Sequence, residues 1–302
     1  MFDLHYDLLS ILYLCYLKND FTYIEKIKNN FNNDNVKCLI ANLYFMSKKE
    51  MIEECPEYGI IDVVKMFEIS TNLYKKYFGN IDCIFGIEGC DFVKVSDLEK
   101  LYNLGLRSVV LVWNNLNIYG SGPRTDFGFT ENGENFIDEC KRLGICIDFS
   151  HANINTFNGM YNYIDKYPLV IASHSNIRNL TDVPRNLLDD QLLKLKEMNA
   201  ILGIVSYKAF LGEPGKSSEV SENDYLDHIK YAVKFLGEDN VCISSDDMTF
   251  DDFYINDCLF NYSTIANDTR ELLLKEFNKN VVEKIMFQNA YKKLKNLIIK
   301  KD

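Results

Sequence analysis

Two short apolar runs that each end in a Ser-His pair most constrain the fold of this chain. Residues Ile145–Phe149 lead into Ser150-His151 and Leu169–Ala172 lead into Ser173-His174, with an amphipathic helix predicted between them at Phe157–Tyr167. Strand, helix and strand in this order predict a parallel β-α-β unit. Both histidines then lie at the carboxyl edge of the sheet, where α/β proteins hold their functional residues. Two imidazoles converging there indicate a metal site; the alternative is two structural histidines at strand ends.

Six further apolar segments alternate with helical patterns along the chain. These predicted strands are Phe2–Asp7, Val36–Phe45, Ile81–Ile87, Arg107–Val112, Ala200–Ser206 and Val241–Ser245. Among the predicted helices, one is capped by Thr130 and ends at Gly144, and another is opened by a capping box at Ser96–Glu99. Eight strands alternating with helices predict an α/β protein, a (β/α)8 barrel of TIM type with extra helices. We expect one domain over residues 1–302.

Polar residues of catalytic type follow several of these strands. His5 and Asp7 are two residues apart, which puts a nitrogen and a carboxylate ligand on one face of a strand. The alternative for this pair is an exposed N-terminus without function. Glu88 closes the third strand, where a carboxylate is costly to bury unless a cation meets it. Asp246 follows the eighth strand, and His228 lies on a predicted helix, where we expect a structural role.

The composition indicates which kinds of partner the protein can bind and in which cellular compartment we expect it. A net charge of −11 disfavours nucleic acid and anionic membrane surfaces as partners. No basic segment with a following apolar run opens the sequence and no apolar run is long enough to span a membrane, so we expect neither a secretion leader nor a membrane span. Nine cysteines without a C-x-x-C pair fit reduced thiols, so we expect a cytoplasmic protein. The absence of a G-x-S-x-G motif disfavours serine hydrolase chemistry.

The motifs at the strand ends together resemble those of the membrane (renal-type) dipeptidases, zinc metallopeptidases of the amidohydrolase superfamily. The resemblance rests on Asp-Leu-His-Tyr-Asp at 3–7, Gly-Ile-Glu-Gly at 86–89, the block from 128 to Asp-Phe-Ser-His at 148–151, Ser-His-Ser at 173–175, Arg-Asn at 185–186, Asp-Asp at 189–190, Tyr207 with Phe-Leu at 210–211, and Ser-Asp at 245–246. Several ordered motifs across nearly the whole chain make this a specific match.

The resemblance implies a dinuclear zinc centre and a dipeptidase activity. His5 and Asp7 would bind one zinc ion, His151 and His174 a second, and Glu88 would bridge both. A hydroxide shared by the two ions would attack the peptide carbonyl of small dipeptides. The family also suggests a homodimer.

Three further residues receive roles from the same resemblance. Asp246 would take the proton of the attacking water and pass it to the leaving amine, the alternative being a buried structural carboxylate. Arg185 would bind the terminal carboxylate of the substrate with its planar fork, the alternative being a surface salt bridge. Tyr207 would assist Arg185 in binding the substrate.

The sequence departs from the family pattern at two positions. Trp113 aligns with a substrate-contacting histidine of the mammalian enzymes, although many bacterial relatives also resemble L-x-W-N there. Met248 and Thr249 follow Asp246-Asp247, where the family carries D-F-D-G. These changes leave the ligand set intact. They leave open another small-amide or lactam hydrolase on the same metal scaffold, or a metal-binding pseudoenzyme.

Overall fold

Eight parallel strands close into a barrel in which each strand pairs with the next along the chain and the last pairs with the first. The computed structural model describes residues 1–33, 35–213, 215–248 and 257–299. The strands are β1 (Phe2–Tyr6), β2 (Cys38–Tyr44), β3 (Asp82–Glu88), β4 (Leu106–Val110), β5 (Cys146–Asp148), β6 (Val170–Ala172), β7 (Ile201–Val205) and β8 (Val241–Ser244). The predicted α/β barrel is confirmed, and the strand ends differ from the predicted ones by at most two residues.

Helices follow every strand. They are α1 (Leu8–Lys18), α2 (Thr22–Asn33), α3 (Lys48–Glu54), α4 (Val63–Phe78), α5 (Leu98–Asn103), α6 (Glu131–Leu143), α7 (Ile154–Ile164), α8 (Asp189–Glu197), α9 (Glu222–Leu236), α10 (Ile265–Leu273), α11 (Lys279–Glu283) and α12 (Asn289–Leu294). None of the helices in the described ranges is long and apolar enough to cross a membrane.

Local hydrogen bonds explain where these helices begin. Thr130 caps α6 as predicted, because its side chain accepts a hydrogen bond from the backbone N–H of Gly133. Helix α7 begins three residues earlier than predicted, since Asn153 accepts from the N–H of Thr156. The predicted capping box at Ser96–Glu99 is wrong. Asp97 instead bonds back to the N–H of Lys94 in a short 3-10 turn, and α5 starts after it without a side-chain cap.

The barrel interior is filled by alternate apolar side chains, as the period of two along a strand requires. Phe2 and Leu4 of β1 pack there with side chains from six other strands, and Leu294 of α12 and Leu297 pack against the same cluster. A much larger apolar cluster joins the strands to the surrounding helices. The filled interior leaves the carboxyl ends of the strands as the place where polar side chains gather.

Candidate metal centre and substrate pocket

The five predicted metal ligands meet at one buried point at the carboxyl end of the barrel. Nε2 of His5 lies 3.0 Å from Oε2 of Glu88 and 3.5 Å from Oδ1 of Asp7. The other oxygen of Glu88, Oε1, lies 2.9 Å from Nε2 of His151 and 3.2 Å from Nε2 of His174. Glu88 therefore presents one oxygen to each half of the cluster. This is the arrangement that a carboxylate bridging two cations requires.

Several of the site residues lie on backbone that is not regular β-strand. Asp7 lies just beyond β1, at the start of α1, and not within the strand as predicted. His5 and Asp7 are both buried, so the alternative of an exposed N-terminus is wrong. His151 and Asp246 adopt φ angles of 63° and 52°. Left-handed backbone at residues other than glycine is uncommon and concentrates at functional sites.

The electrostatics of the cluster keep His151, His174 and Glu88 in the protonation states that bind metal ions. Burial lowers the pKa of His151 to about 4, and the charge of Arg185 acts in the same direction. Burial and the charge of His5 hold the pKa of His174 well below its ordinary value. Burial would raise the pKa of Glu88, but the charges of His5 and His151 outweigh it and lower that pKa. Neutral imidazoles and an anionic carboxylate are the forms that bind metal ions.

The half of the cluster around His5 and Asp7 favours a positive charge at its centre. Burial would lower the pKa of His5, but Glu88 and Asp7 raise it well above its ordinary value. Burial raises the pKa of Asp7 to about 7 and that of Asp246 to about 6, while His5 opposes both shifts. Three carboxylates around one imidazole nitrogen form a strongly negative environment, which suits a divalent cation.

The donor set fits divalent metal ions. Within the described residues, His5, Asp7 and Glu88 form one group whose ligand atoms all lie within 4.8 Å of one another, and Glu88, His151 and His174 form a second. Oδ1 of Asp7 is buried and has no hydrogen-bond partner there. Imidazole nitrogens with carboxylate oxygens are the donors that zinc accepts, and other divalent ions share part of this preference.

Each histidine of the cluster has a polar partner behind its ring, which we did not predict from the sequence. The amide of Asn42 lies 3.0 Å from Nδ1 of His5, and Oδ1 of Asn114 lies 3.0 Å from Nδ1 of His151. The polar Asn42 in an otherwise apolar strand could have indicated this contact. Gly86 makes room for it, because a Cβ on Gly86 would lie 2.0 Å from Oδ1 of Asn42. Such partners orient the ring of a ligand histidine.

An open cavity of about 770 Å³ lies over the cluster. Its walls include three residues predicted to bind the substrate, Trp113, Arg185 and Tyr207, together with Asp246. The structure thus brings every predicted site residue to one place. A cavity of this size accommodates a small-molecule ligand.

Arg185 is a buried cation that forms no ion pair in the described part of the chain. Its Nη1 donates to Oγ of Ser175 at 2.9 Å and its Nη2 donates to the carbonyl of His174 at 2.6 Å. Its Nε has no partner among the described residues, and the guanidinium lies 5.4 Å from the ring centre of Phe210. Because only 7% of the residue is exposed, the alternative of a surface salt bridge is wrong. Burial also lowers the pKa of Arg185.

Tyr207 follows β7 and Asp246 follows β8, and both line the cavity over the cluster. Oδ1 of Asp246 is 4.0 Å from Nε2 of both His5 and His174, and its side chain is 22% exposed toward the cavity. Tyr207 is half-buried and packs edge-on against Phe210 at 4.9 Å. Burial and the charge of Asp246 raise the pKa of Tyr207.

The residues that depart from the family pattern also reach the cavity. Trp113 packs between the rings of Tyr44 and His151, at centre distances of 5.2 and 6.2 Å. The guanidinium of Arg124 lies 5.4 Å from the indole. Met248 lines the cavity, whereas Thr249 lies outside the described residues.

His228 is buried on α9, and its contacts fit the structural role expected for it. Its Nδ1 accepts a hydrogen bond from the N–H of Ile177, and Nε2 lies 3.3 Å from Oγ1 of Thr181. These contacts tie α9 to the loop between β6 and α8, which also carries Arg185.

A parallel eight-stranded barrel with imidazoles and carboxylates at its carboxyl end defines a metal-dependent hydrolase. The sequence model of the membrane dipeptidase family, peptidase family M19, matches residues 60–298, and the chain belongs to that family. The resemblance drawn from the sequence is thereby confirmed.

Individual proteins and solved structures are also similar to this chain. An uncharacterised protein in the pqqA 5′ region of Klebsiella pneumoniae is 31% identical over 210 residues, which cover 67% of this chain and 76% of that protein. The dipeptidase verJ of Clonostachys rogersoniana is 30% identical over 175 residues, 56% of this chain but only 43% of that protein. A metallopeptidase from Rhodobacter sphaeroides, crystallised with a phosphinate mimic of the dipeptide L-Ala-D-Ala, shares the fold with a TM-score of 0.76. It is 22% identical, and the match covers 97% of this chain and 98% of that one.

Proposed function

We propose that this protein is a dinuclear zinc dipeptidase that hydrolyses small dipeptides with a hydroxide shared by the two ions. The observation that carries the proposal is the split arrangement around Glu88, whose two oxygens face different halves of the ligand cluster. His5 and Asp7 would hold one ion, and His151 and His174 the other. When bound, the ions would polarise the scissile carbonyl and lower the pKa of the water between them.

The cavity residues would bind and orient the dipeptide. Arg185 offers a positive charge that pairs with no carboxylate among the described residues, and its two bonds to Ser175 and to the His174 carbonyl fix the plane of the guanidinium. A substrate carboxylate meeting it would form a charge-assisted hydrogen bond. Tyr207 and Trp113 would form the side walls. This arrangement selects a free terminal carboxylate at a fixed distance from the reacting carbonyl.

Asp246 would move the proton. Its carboxylate faces both halves of the cluster at 4.0 Å and is partly open to the cavity. From there it can accept the proton of the attacking water and return it to the leaving amine. The alternative role for Asp246, that of a buried structural carboxylate, would not require access to the cavity.

Metal analysis followed by a substrate screen tests the proposal. We expect two divalent ions per chain and hydrolysis of free dipeptides, with N-blocked substrates and C-amidated dipeptides cleaved far more slowly. Two bound ions with hydrolysis of lactams or other amides, and none of dipeptides, would favour the second hydrolase hypothesis. Two bound ions without hydrolysis of any substrate would favour the hypothesis of a metal-binding pseudoenzyme.

Replacing Arg185 by lysine should raise KM for free dipeptides and leave metal content unchanged. Lysine keeps the charge but loses the planar fork, so kcat/KM should fall about tenfold to a hundredfold. Arg178 is a matched control, because it lies in the same loop but pairs with the exposed Asp182 at 2.8 Å. Arg178→Lys should behave as wild type. If wild type cleaves C-amidated dipeptides as fast as free acids, Arg185 does not bind the carboxylate.

Replacing Trp113 by alanine should change the preference among substrates more than the overall rate. The indole is a packed wall between Tyr44 and His151, so its loss should lower kcat/KM for large side chains roughly tenfold more than for small ones. Trp113→His should keep both ions and restore the animal-type residue. The measurement is kcat/KM over a panel of dipeptides. A uniform drop of about a thousandfold would mean that the indole N–H stabilises the transition state.

A further inference from the structure

The loop that carries Arg185 is cross-linked within itself. It connects β6 to α8. The N–H of Leu187 donates to the carbonyl of Asn176 at 2.8 Å, which joins the end of the loop to its start. Between these two points, the side-chain amide of Asn186 donates to the carbonyl of Thr181 at 2.9 Å. Because the loop is linked in this way, a shift at its start is passed on to Arg185.

His228 on α9 holds the start of this loop. The N–H of Ile177 donates to Nδ1 of His228 at 3.1 Å, and Nε2 of the same ring lies 3.3 Å from Oγ1 of Thr181. A backbone N–H can only donate, so Nδ1 must be the unprotonated nitrogen of the ring. The neutral ring then carries its proton on Nε2, which donates to the Thr181 hydroxyl. One imidazole thus serves as an acceptor and as a donor for the same loop.

The surroundings of His228 keep the ring neutral and leave no substitute for it. Only 1% of the residue is exposed. Burial lowers the pKa of His228 to about 4, although the charges of Asp224 and Asp227 act in the opposite direction. Ile177 is fully buried as well, and a buried backbone N–H without an acceptor costs about as much free energy as a lost hydrogen bond. Loss of the ring would therefore favour a different position of the loop start.

A second residue of α9 contacts the loop from the same face of the helix. Tyr231 lies three residues after His228, and residues three apart share a helix face. Its hydroxyl donates to Oδ1 of Asp189 at 2.9 Å and accepts from the side-chain amide of Asn179 at 3.1 Å. Asn179 is exposed, so water can replace its bond. The buried contact of His228 is thus the one for which the solvent offers no replacement.

The guanidinium of Arg185 depends on the placement of the same segment. Its two acceptors, the carbonyl of His174 and Oγ of Ser175, lie just before the residue that His228 holds. We propose that His228 is a positioning residue for substrate binding, which acts through the loop 176–187 to hold the Arg185 guanidinium at the cavity. The proposal rests on the function proposed above, in which Arg185 binds the terminal carboxylate of the dipeptide. None of the five proposed metal ligands lies in this loop, so the effect should fall on KM.

Removal of the acceptor nitrogen tests this role. His228→Leu fills a similar volume without a ring nitrogen, whereas His228→Asn offers an Oδ1 that can take the place of Nδ1. We expect His228→Leu to raise KM for a free dipeptide about threefold to thirtyfold, with kcat and metal content nearly unchanged. His228→Asn should lie close to wild type. Equal KM values in wild type and His228→Leu, or equal KM values in the two variants, overturn the proposal.

Asn289 provides the matched control for a general loss of stability. It is a buried polar side chain on α12, and its amide donates to the carbonyls of Glu238 and Val241 at 2.7 and 2.8 Å. Val241 begins β8, so these bonds lie at the end of the barrel opposite to the cavity. Asn289→Leu should lower the melting temperature and leave KM unchanged. A rise in KM equal to that in His228→Leu would show general destabilisation and overturn the proposal.

A double-mutant cycle shows whether the effect of His228 passes through Arg185. Arg185→Ala removes the contact to the substrate carboxylate. In that background, His228→Leu should change kcat/KM by no more than about twofold, because residues that act through one contact are not additive. The same factor in both backgrounds would mean that His228 acts on another part of the site, and this result overturns the proposal.

The protonation of the ring can be measured without any turnover. In the wild-type full chain, ¹⁵N NMR of the four histidine rings should show a neutral His228 with its proton on Nε2. The signals of His228 are assigned by their absence in His228→Asn, so this test does not depend on the folding of His228→Leu. A ring with its proton on Nδ1, or an imidazolium at neutral pH, overturns the proposal.

These outcomes are separable from the fate of the proposed function. Absence of dipeptide hydrolysis by wild type, or cleavage of C-amidated dipeptides as fast as free acids, contradicts the proposed function. A preference of wild type for free acids, with an unchanged KM in His228→Leu, contradicts only the positioning role.

Discussion

Glu88→Gln should abolish dipeptide hydrolysis and release most of one metal ion. An amide is neutral and offers only one acceptor oxygen, whereas the two oxygens of Glu88 face His5 on one side and His151 and His174 on the other. Losing one ion removes several kcal/mol of transition-state stabilisation, so kcat/KM should fall on the order of a thousandfold or more. The measurements are metal content by atomic emission and kcat/KM for a free dipeptide.

A matched control separates this effect from the loss of any carboxylate near the cavity. Glu54 lines the same cavity but lies exposed on α3. Glu54→Gln should therefore keep both ions and most of the activity. Full metal occupancy and an unchanged rate in Glu88→Gln would contradict the bridging role.

Asp246→Asn should lower kcat by about a hundredfold to ten-thousandfold while leaving KM nearly unchanged. Asparagine keeps the shape of the side chain but cannot accept and return a proton, and proton transfer contributes this range in general acid–base catalysis. The five proposed ligands remain, so we expect both ions to stay bound. The readouts are kcat, KM and metal content of the variant, with Glu54→Gln again as the control. A large rise in KM at constant kcat would instead place Asp246 in substrate binding.

The sequence indicated which residues come together at the end of the barrel, because each of them interrupts an apolar run. His5, Glu88, His151 and His174 each stand at a strand end, where a polar side chain is costly to bury without a partner. The parallel β-α-β pattern then places all of them at one edge of a barrel.

Helix boundaries were less predictable. Asp97 forms a short turn at the expected start of α5. A local hydrogen bond from a side chain to the backbone competes with the helix there, and small differences in free energy decide between the two.

The partners behind the ligands could not be predicted, because they depend on closure of the barrel. Asn42 meets His5 from a position 37 residues away, and the Asp148 carboxylate meets Ser173 across 25 residues. Only the strand register brings these atoms together. The register of β1 against β2 also shifts between Asp3 and Tyr6, which no alternation pattern in the sequence indicates.

Anomalous diffraction from crystals of the zinc-loaded protein tests the central claim most directly. We expect two zinc peaks about 3.5–4 Å apart, one beside His5 and Asp7 and one beside His151 and His174, with Glu88 contacting both. A single peak shared by all three histidines, or zinc bound away from Glu88, would contradict the dinuclear account.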